Sequence, residues 1–158
     1  MKNYVLSVLV ENKAGVLARV AGLFSARGFN IRSLAVAETD SPSVSRMSLV
    51  VHADEKTFEQ VKKQLNKLID VVSVQDFTKK DFFDRELLLI KLRYTSQNRS
   101  QIIEIIELLG GKILHVGTKV ICIEVVGDKE KVATSLQLLK PYGIKEVMRT
   151  GVVAIGKD

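Results

Sequence analysis

Between residues 11 and 17 the chain reads Glu11-Asn12-Lys13-Ala14-Gly15-Val16-Leu17, just before a run with helical spacing. These residue types at this spacing can hold a small carboxylate. Gly15 permits a backbone approach that a Cβ would obstruct. The free N–H groups at the start of a helix, aided by its dipole, attract negative charge. Asn12 adds a side-chain amide that both donates and accepts. A tight turn between strand and helix, binding nothing, accounts for Asn12 and Gly15 equally well.

Chemistry of other kinds finds little support. His52 and His115 are the only histidines, and each lies in or beside a strand-like run with no Cys, His or acid at ligand spacing. Gly127-Asp128-Lys129 has the look of the start of a diphosphate-cofactor motif but lacks the following glycine and the downstream asparagines, so Asp128 reads better as a helix cap. No G-x-G-x-x-G, P-loop or G-x-S-x-G occurs. Glu104 and Glu107 fall on the polar side of a helix. No residue set is arranged to activate a nucleophile, and the chain is expected to be no enzyme by itself.

The elements that would position the turn follow from hydrophobic period. Tyr4 to Val10 is nearly continuous apolar sequence, as suits a central strand under a helix layer. Leu17, Val20, Ala21 and Phe24 then recur at helical spacing, with Gly28 as the stop. Ile31 to Ala37 reads as a strand, and Asp40-Ser41-Pro42-Ser43 as a turn. A third strand holds Met47, Leu49 and Val51. Asp54 caps a helix buried through Phe58, Val61, Leu65 and Leu68, and Val71 to Phe77 closes the unit. Thr78 to Arg85 is polar apart from Phe82 and Phe83 and reads as a linker.

The same β-α-β-β-α-β order then repeats. Its parts are a strand at Glu86 to Tyr94, a helix at Ser100 to Leu109, strands at Ile113 to Val116 and Val120 to Val126, and a helix capped by Asp128. A last strand, Ile144 to Ile155, is broken near Gly151. Right-handed crossovers leave the ferredoxin-like sandwich as the leading arrangement. The fold class is therefore α+β, with two such sandwiches in tandem. Each half is small, and Ile31 to Ala37 would lie at a sheet edge. A homodimer at least is expected.

Composition narrows the partners. Of 158 residues, 24 are Lys or Arg against 18 Asp or Glu, for a net charge of +6. The two signs are interleaved and no block of five basic residues occurs, so nucleic acid is not implied. The third strand and its counterpart Val120 to Val126 lack the aromatics on which RNA-binding modules of this fold stack bases. No apolar run is long enough to span a bilayer. The single Cys122 sits mid-strand as a small hydrophobe, and no signal-peptide pattern precedes the first strand. A cytoplasmic location is the expectation, with no membrane partner.

At this point the chain resembles a family. Glu11 to Val20, Gly22-Leu23-Phe24-Ser25, Arg27-Gly28-Phe29-Asn30-Ile31 and Ser33-Leu34 are similar to the start of the small regulatory subunits of acetolactate synthase. Ser45-Arg46-Met47, Lys63-Gln64-Leu65, Lys67-Leu68, Arg85-Glu86-Leu87 and Arg149-Thr150-Gly151 continue the likeness, which spans essentially the whole chain. It implies an ACT domain over 1–77 for effector binding and dimerisation, a linker over 78–85 and the family's C-terminal ferredoxin-like domain over 86–158. It implies feedback inhibition by a branched-chain amino acid, usually valine. The partner would be a separate catalytic large subunit carrying thiamine diphosphate, Mg and FAD, with no cofactor in this chain. By position, the effector contacts would be Asn12, Gly15, Val16 and Leu17 of one protomer with Asn30 and Ile31 of another. Arg32 stands where an acid is common in the family, Ala35 where threonine is common and Ala18 where serine is frequent. A free-standing ACT-type sensor serving another enzyme is the alternative reading.

Overall fold

The computed structural model describes residues 1–157, which form two compact units. The first comprises Met1–Phe83 together with the chain from Val152 onward, and the second Asp84–Gly151.

The first unit runs β1 (Lys2–Glu11), α1 (Val16–Ala26), β2 (Ile31–Glu38), β3 (Val44–Ala53), α2 (Glu55–Leu65) and β4 (Val71–Asp76). Its sheet is antiparallel in the order β2-β3-β1-β4. Side chains alternate across the pleat, so Tyr4, Leu6, Val8 and Val10 of β1 meet Met47, Leu49, Val51 and Ala53 of β3 on one face. Two helices cover that face. From α1 come Val16, Val20 and Phe24, and from α2 come Phe58, Val61 and Leu65. Tyr4 stacks on Phe58 with ring centroids 3.8 Å apart. Asp54 caps α2, accepting the Thr57 N–H at 2.8 Å. The buried stripe of α1 differs from the expected one at two places. Ala21 is only half-buried. Val16 occupies the core position and Leu17 points outward, 44% exposed.

The second unit repeats the plan with β5 (Phe82–Arg93), α3 (Arg99–Leu108), β6 (Lys112–Val116), β7 (Val120–Gly127), α4 (Lys129–Leu139) and β8 (Ile144–Arg149). Its strand order is β6-β7-β5-β8, the counterpart of the first. Leu88, Ile90, Leu92, Ile121, Ile123 and Val125 pack beneath Ile102, Ile106, Val132 and Leu139. Asp128 caps α4 through the Lys131 N–H at 2.8 Å. Glu86 is buried and takes two hydrogen bonds from the Arg149 guanidinium, at 2.5 and 2.9 Å. Arg85 to Leu87 and Arg149 to Gly151 thus meet across β5 and β8, with the Thr150 N–H donating to the Leu87 carbonyl. The tandem ferredoxin-like architecture is the one expected.

Two boundaries differ from the sequence reading. β5 begins at Phe82, inside the stretch read as linker, because Phe82 stacks on the buried Phe77 at 5.1 Å. The chain after Gly151 groups with the first unit and includes a ninth strand, β9 (Val153–Gly156), which pairs with β5 off the β6-β7-β5-β8 path. Gly151 has φ 80°, a left-handed turn that breaks the expected last strand. No helix is long and apolar enough to cross a membrane, among the described residues.

Candidate functional site

The turn between β1 and α1 is built around Gly15. With φ 86° and ψ −9° it sits in the left-handed region at the helix N-cap, and no side chain caps the helix there. Any L residue would be strained at that φ. A Cβ would also stand 3.2 Å from Nη1 of Arg19. Arg19 lies one turn along α1 and leans back over the turn, with its Nε donating to Asp70 at 2.6 Å. Asp70 is buried just before β4, and its backbone carbonyl accepts the Glu11 N–H at 2.9 Å. The two ends of the turn are therefore fastened to one loop.

The Val16 N–H closes the turn onto the Lys13 carbonyl at 3.3 Å. The N–H groups of Gly15 and Leu17 find no protein acceptor among the described residues. Those two groups, with the positive end of the helix dipole, can receive a carboxylate oxygen. Val16 offers only backbone, since its side chain is buried in the core. Leu17 offers an exposed apolar side chain.

Asn12 is already engaged. Its Nδ2 donates to Glu38 Oε1 at 2.8 Å and to the Pro42 carbonyl at 2.9 Å, and its backbone N–H donates to the Ser43 carbonyl at 2.8 Å. The residue ties the β1–α1 turn to the β2–β3 hairpin. Its Oδ1 is left as an acceptor, the polarity an ammonium group would meet.

Asn30 and Ile31 lie elsewhere. Ile31 opens β2, pairs with Val51 and packs on the core, while Asn30 is exposed just before it. Val51 is also the partner of Tyr4, whereas Glu11 stands opposite Val44 at the far end of the sheet. Seven residues of strand separate these levels, about 23 Å at 3.3 Å per residue. Within one chain the Asn12 to Leu17 turn and the Asn30-Ile31 pair are at opposite ends of the sheet. Between Ile31 and Ser33 the β2–β3 register shifts, which places Arg32 in an irregularity at the edge.

Glu38 and the Arg19–Asp70 pair complete this region and were not singled out from the sequence. The signal for Arg19 was its place four residues after Gly15, on the same helix face. Glu38 gave none, because its reach to Asn12 depends on the hairpin register. No cluster of three or more metal-ligating side chains occurs among the described residues.

Comparison with known proteins adds independent findings. A family model described as the AHAS small subunit-like ACT domain matches residues 6–73, and one described as the small subunit of acetolactate synthase matches 85–158. The acetolactate synthase small subunit of Mycolicibacterium smegmatis is 47% identical over 154 residues, covering 98% of this chain and 91% of that one. The probable acetolactate synthase small subunit of Archaeoglobus fulgidus is 47% identical over 152 residues, covering 96% and 95%. The crystal structure of the acetolactate synthase small subunit from Thermotoga maritima superposes with a TM-score of 0.91 at 38% identity, covering 100% and 99%.

Proposed function

Because the chain belongs to the family of acetolactate synthase small subunits, we propose that its first unit senses a branched-chain amino acid, valine foremost. The chain is a regulatory, non-catalytic subunit; the acyl-transfer chemistry belongs to a separate catalytic subunit. In this reading the catalytic subunit carries thiamine diphosphate, Mg and FAD and forms 2-acetolactate from pyruvate. The small subunit raises its activity and lowers it again when the amino acid accumulates. The setting is the cytoplasm, where this biosynthesis supplies valine, leucine and isoleucine.

The observation that carries the effector site is the position of β2. It is a sheet edge, and an antiparallel pairing with β2 of a second copy about a two-fold axis reverses one strand against the other. The end bearing Ile31 in one copy then falls beside the end bearing Glu38 in the other, and Glu38 is bonded to Asn12. Two half-sites at opposite ends of one sheet become two whole sites in a homodimer. The N–H groups of Gly15 and Leu17 take the carboxylate. The side-chain oxygen of Asn30 takes the ammonium, and Leu17 with Ile31 receives the apolar side chain. Val16 contributes backbone, and Asn12 fixes the turn while presenting Oδ1. Binding across a seam favours one arrangement of the protomers over another, which is what inhibition requires.

The test is reconstitution with the catalytic subunit. Acetolactate formation is expected to rise on adding the small subunit and to fall again with valine, and less with leucine or isoleucine. Absence of any activation would overturn the assignment of partner. Activation without inhibition by any of the three amino acids would overturn the effector.

A further inference from the structure

The face of the first sheet opposite the helices carries Ser7 of β1, Ser48 and Val50 of β3, and Ser33 of β2, which is paired with Val50. Among the described residues no helix of this unit covers that face, yet Ser7, Ser48 and Val50 are buried. The C-terminal strand lies over it. Its path is marked at three points, all within the first unit. At its start the Val152 N–H donates to Ser33 Oγ at 2.7 Å, linking residues 119 apart in sequence. In its middle Ala154 is buried, 6% exposed, and β9 packs against β1. At its end the Lys157 N–H donates to the Asp81 carbonyl at 3.1 Å. The segment thus runs as a strap from Ser33 of β2, past β1, to Asp81 beyond β4, while β9 itself pairs with β5.

Among the described residues, Ser33 is the one side chain of β2 that the strap holds by a hydrogen bond. It stands immediately after the irregularity at Arg32 and two residues beyond Ile31. An edge strand with a register shift has fewer ladder bonds to fix its start than a regular one. The Val152–Ser33 bond supplies a fixed point there, from the sheet's other side. We propose that Ser33, anchored by the Val152 N–H, is a positioning residue for the effector site: it touches no ligand but holds the start of β2 so that Asn30 and Ile31 meet the second copy in the binding arrangement. This rests on the effector site assigned above. Release of the anchor lowers the fraction of protein that is competent to bind, and apparent affinity falls by that fraction.

The experiment measures valine affinity by calorimetry on the full-length small subunit. Ser33→Ala removes the acceptor, Val152→Pro removes the donor and Val152→Ala keeps it. Ser33→Thr keeps the acceptor. Ser48→Ala alters a hydroxyl on the same face that has no hydrogen-bond partner. Ser33→Ala and Val152→Pro are each expected to weaken valine binding about threefold to tenfold, the range set by one lost hydrogen bond. The double variant should be no weaker than either alone, because both remove the same bond. Ser33→Thr, Val152→Ala and Ser48→Ala should bind as the wild type does. A Ser33→Ala protein with unchanged valine affinity overturns the proposal, even if its melting temperature drops. So does an additive double variant. A wild-type chain that binds none of the three amino acids overturns the effector reading and this inference with it, whereas the first two results leave that reading standing.

Discussion

Asn12 Nδ2 donates to Glu38 Oε1 at 2.8 Å, joining the turn that precedes α1 to the last residue of β2. The bond makes the turn and the sheet edge one structural piece. A residue whose type suggested ligand binding is thus first a fastener, and the Pro42 carbonyl takes its second amide hydrogen. Asn12→Asp would replace a donor by a carboxylate facing Glu38. A loss of about 1–2 kcal/mol in urea denaturation is expected, together with weaker valine binding. A protein of unchanged stability would mean that the hairpin is held without Asn12.

Asn30 stands in contrast, exposed and without a hydrogen-bond partner among the described residues. Asn30→Ala should leave the melting temperature unchanged and weaken valine binding by about 1–3 kcal/mol, as for a lost bond to a charged group. Calorimetry beside a thermal melt separates the two effects. Equal affinity in mutant and wild type would move the ammonium to another residue.

The first unit also carries a measurable pH dependence. Burial alone would push the Asp76 carboxyl up, but hydrogen bonds from Lys62 and Thr78 outweigh it and hold the group below its usual range. Hydrogen bonds to Asp76 and Glu59 raise the Lys62 ammonium above its ordinary value of 10.5. A lowered carboxyl contributes stability above its unfolded pKa and loses it as pH falls through the folded value. The raised lysine contributes below 10.5 and loses its share as pH rises through the folded value. Urea midpoints should therefore be level near neutrality and fall below about pH 4. Asp76→Asn should be less stable at pH 7 by about 1 kcal/mol and show a shallower acid fall. Parallel acid limbs in the two proteins would locate the acid sensitivity elsewhere.

Much of this was legible in the residues, for reasons that can be named. Tyr4 to Val10 and the Phe58, Val61, Leu65 stripe reflect strong local periods, and Asp54 and Asp128 cap helices by bonds within one turn. Gly15 was legible because a left-handed backbone restricts residue type. Three features were not. Val16 rather than Leu17 enters the core, since α1 begins right after the Gly15 turn and only its packing on the sheet sets the phase. Glu38 reaches Asn12 through hairpin register, which composition does not encode. Val152 meets Ser33 across 119 residues, a contact created by topology and by no local pattern. Phe82 had a readable cue, an aromatic in an otherwise polar stretch, and it is the residue that ends the linker early.

In the proposed site the turn at Gly15 receives the effector's carboxylate. Gly15→Asp places a side chain 3.2 Å from the Arg19 guanidinium and puts a negative charge where the carboxylate would lie. Calorimetry of valine into this variant, beside a reconstitution assay, is the most direct test. No detectable valine binding is expected, with activation of the catalytic subunit largely kept and inhibition lost. Valine affinity equal to that of the wild type would contradict it.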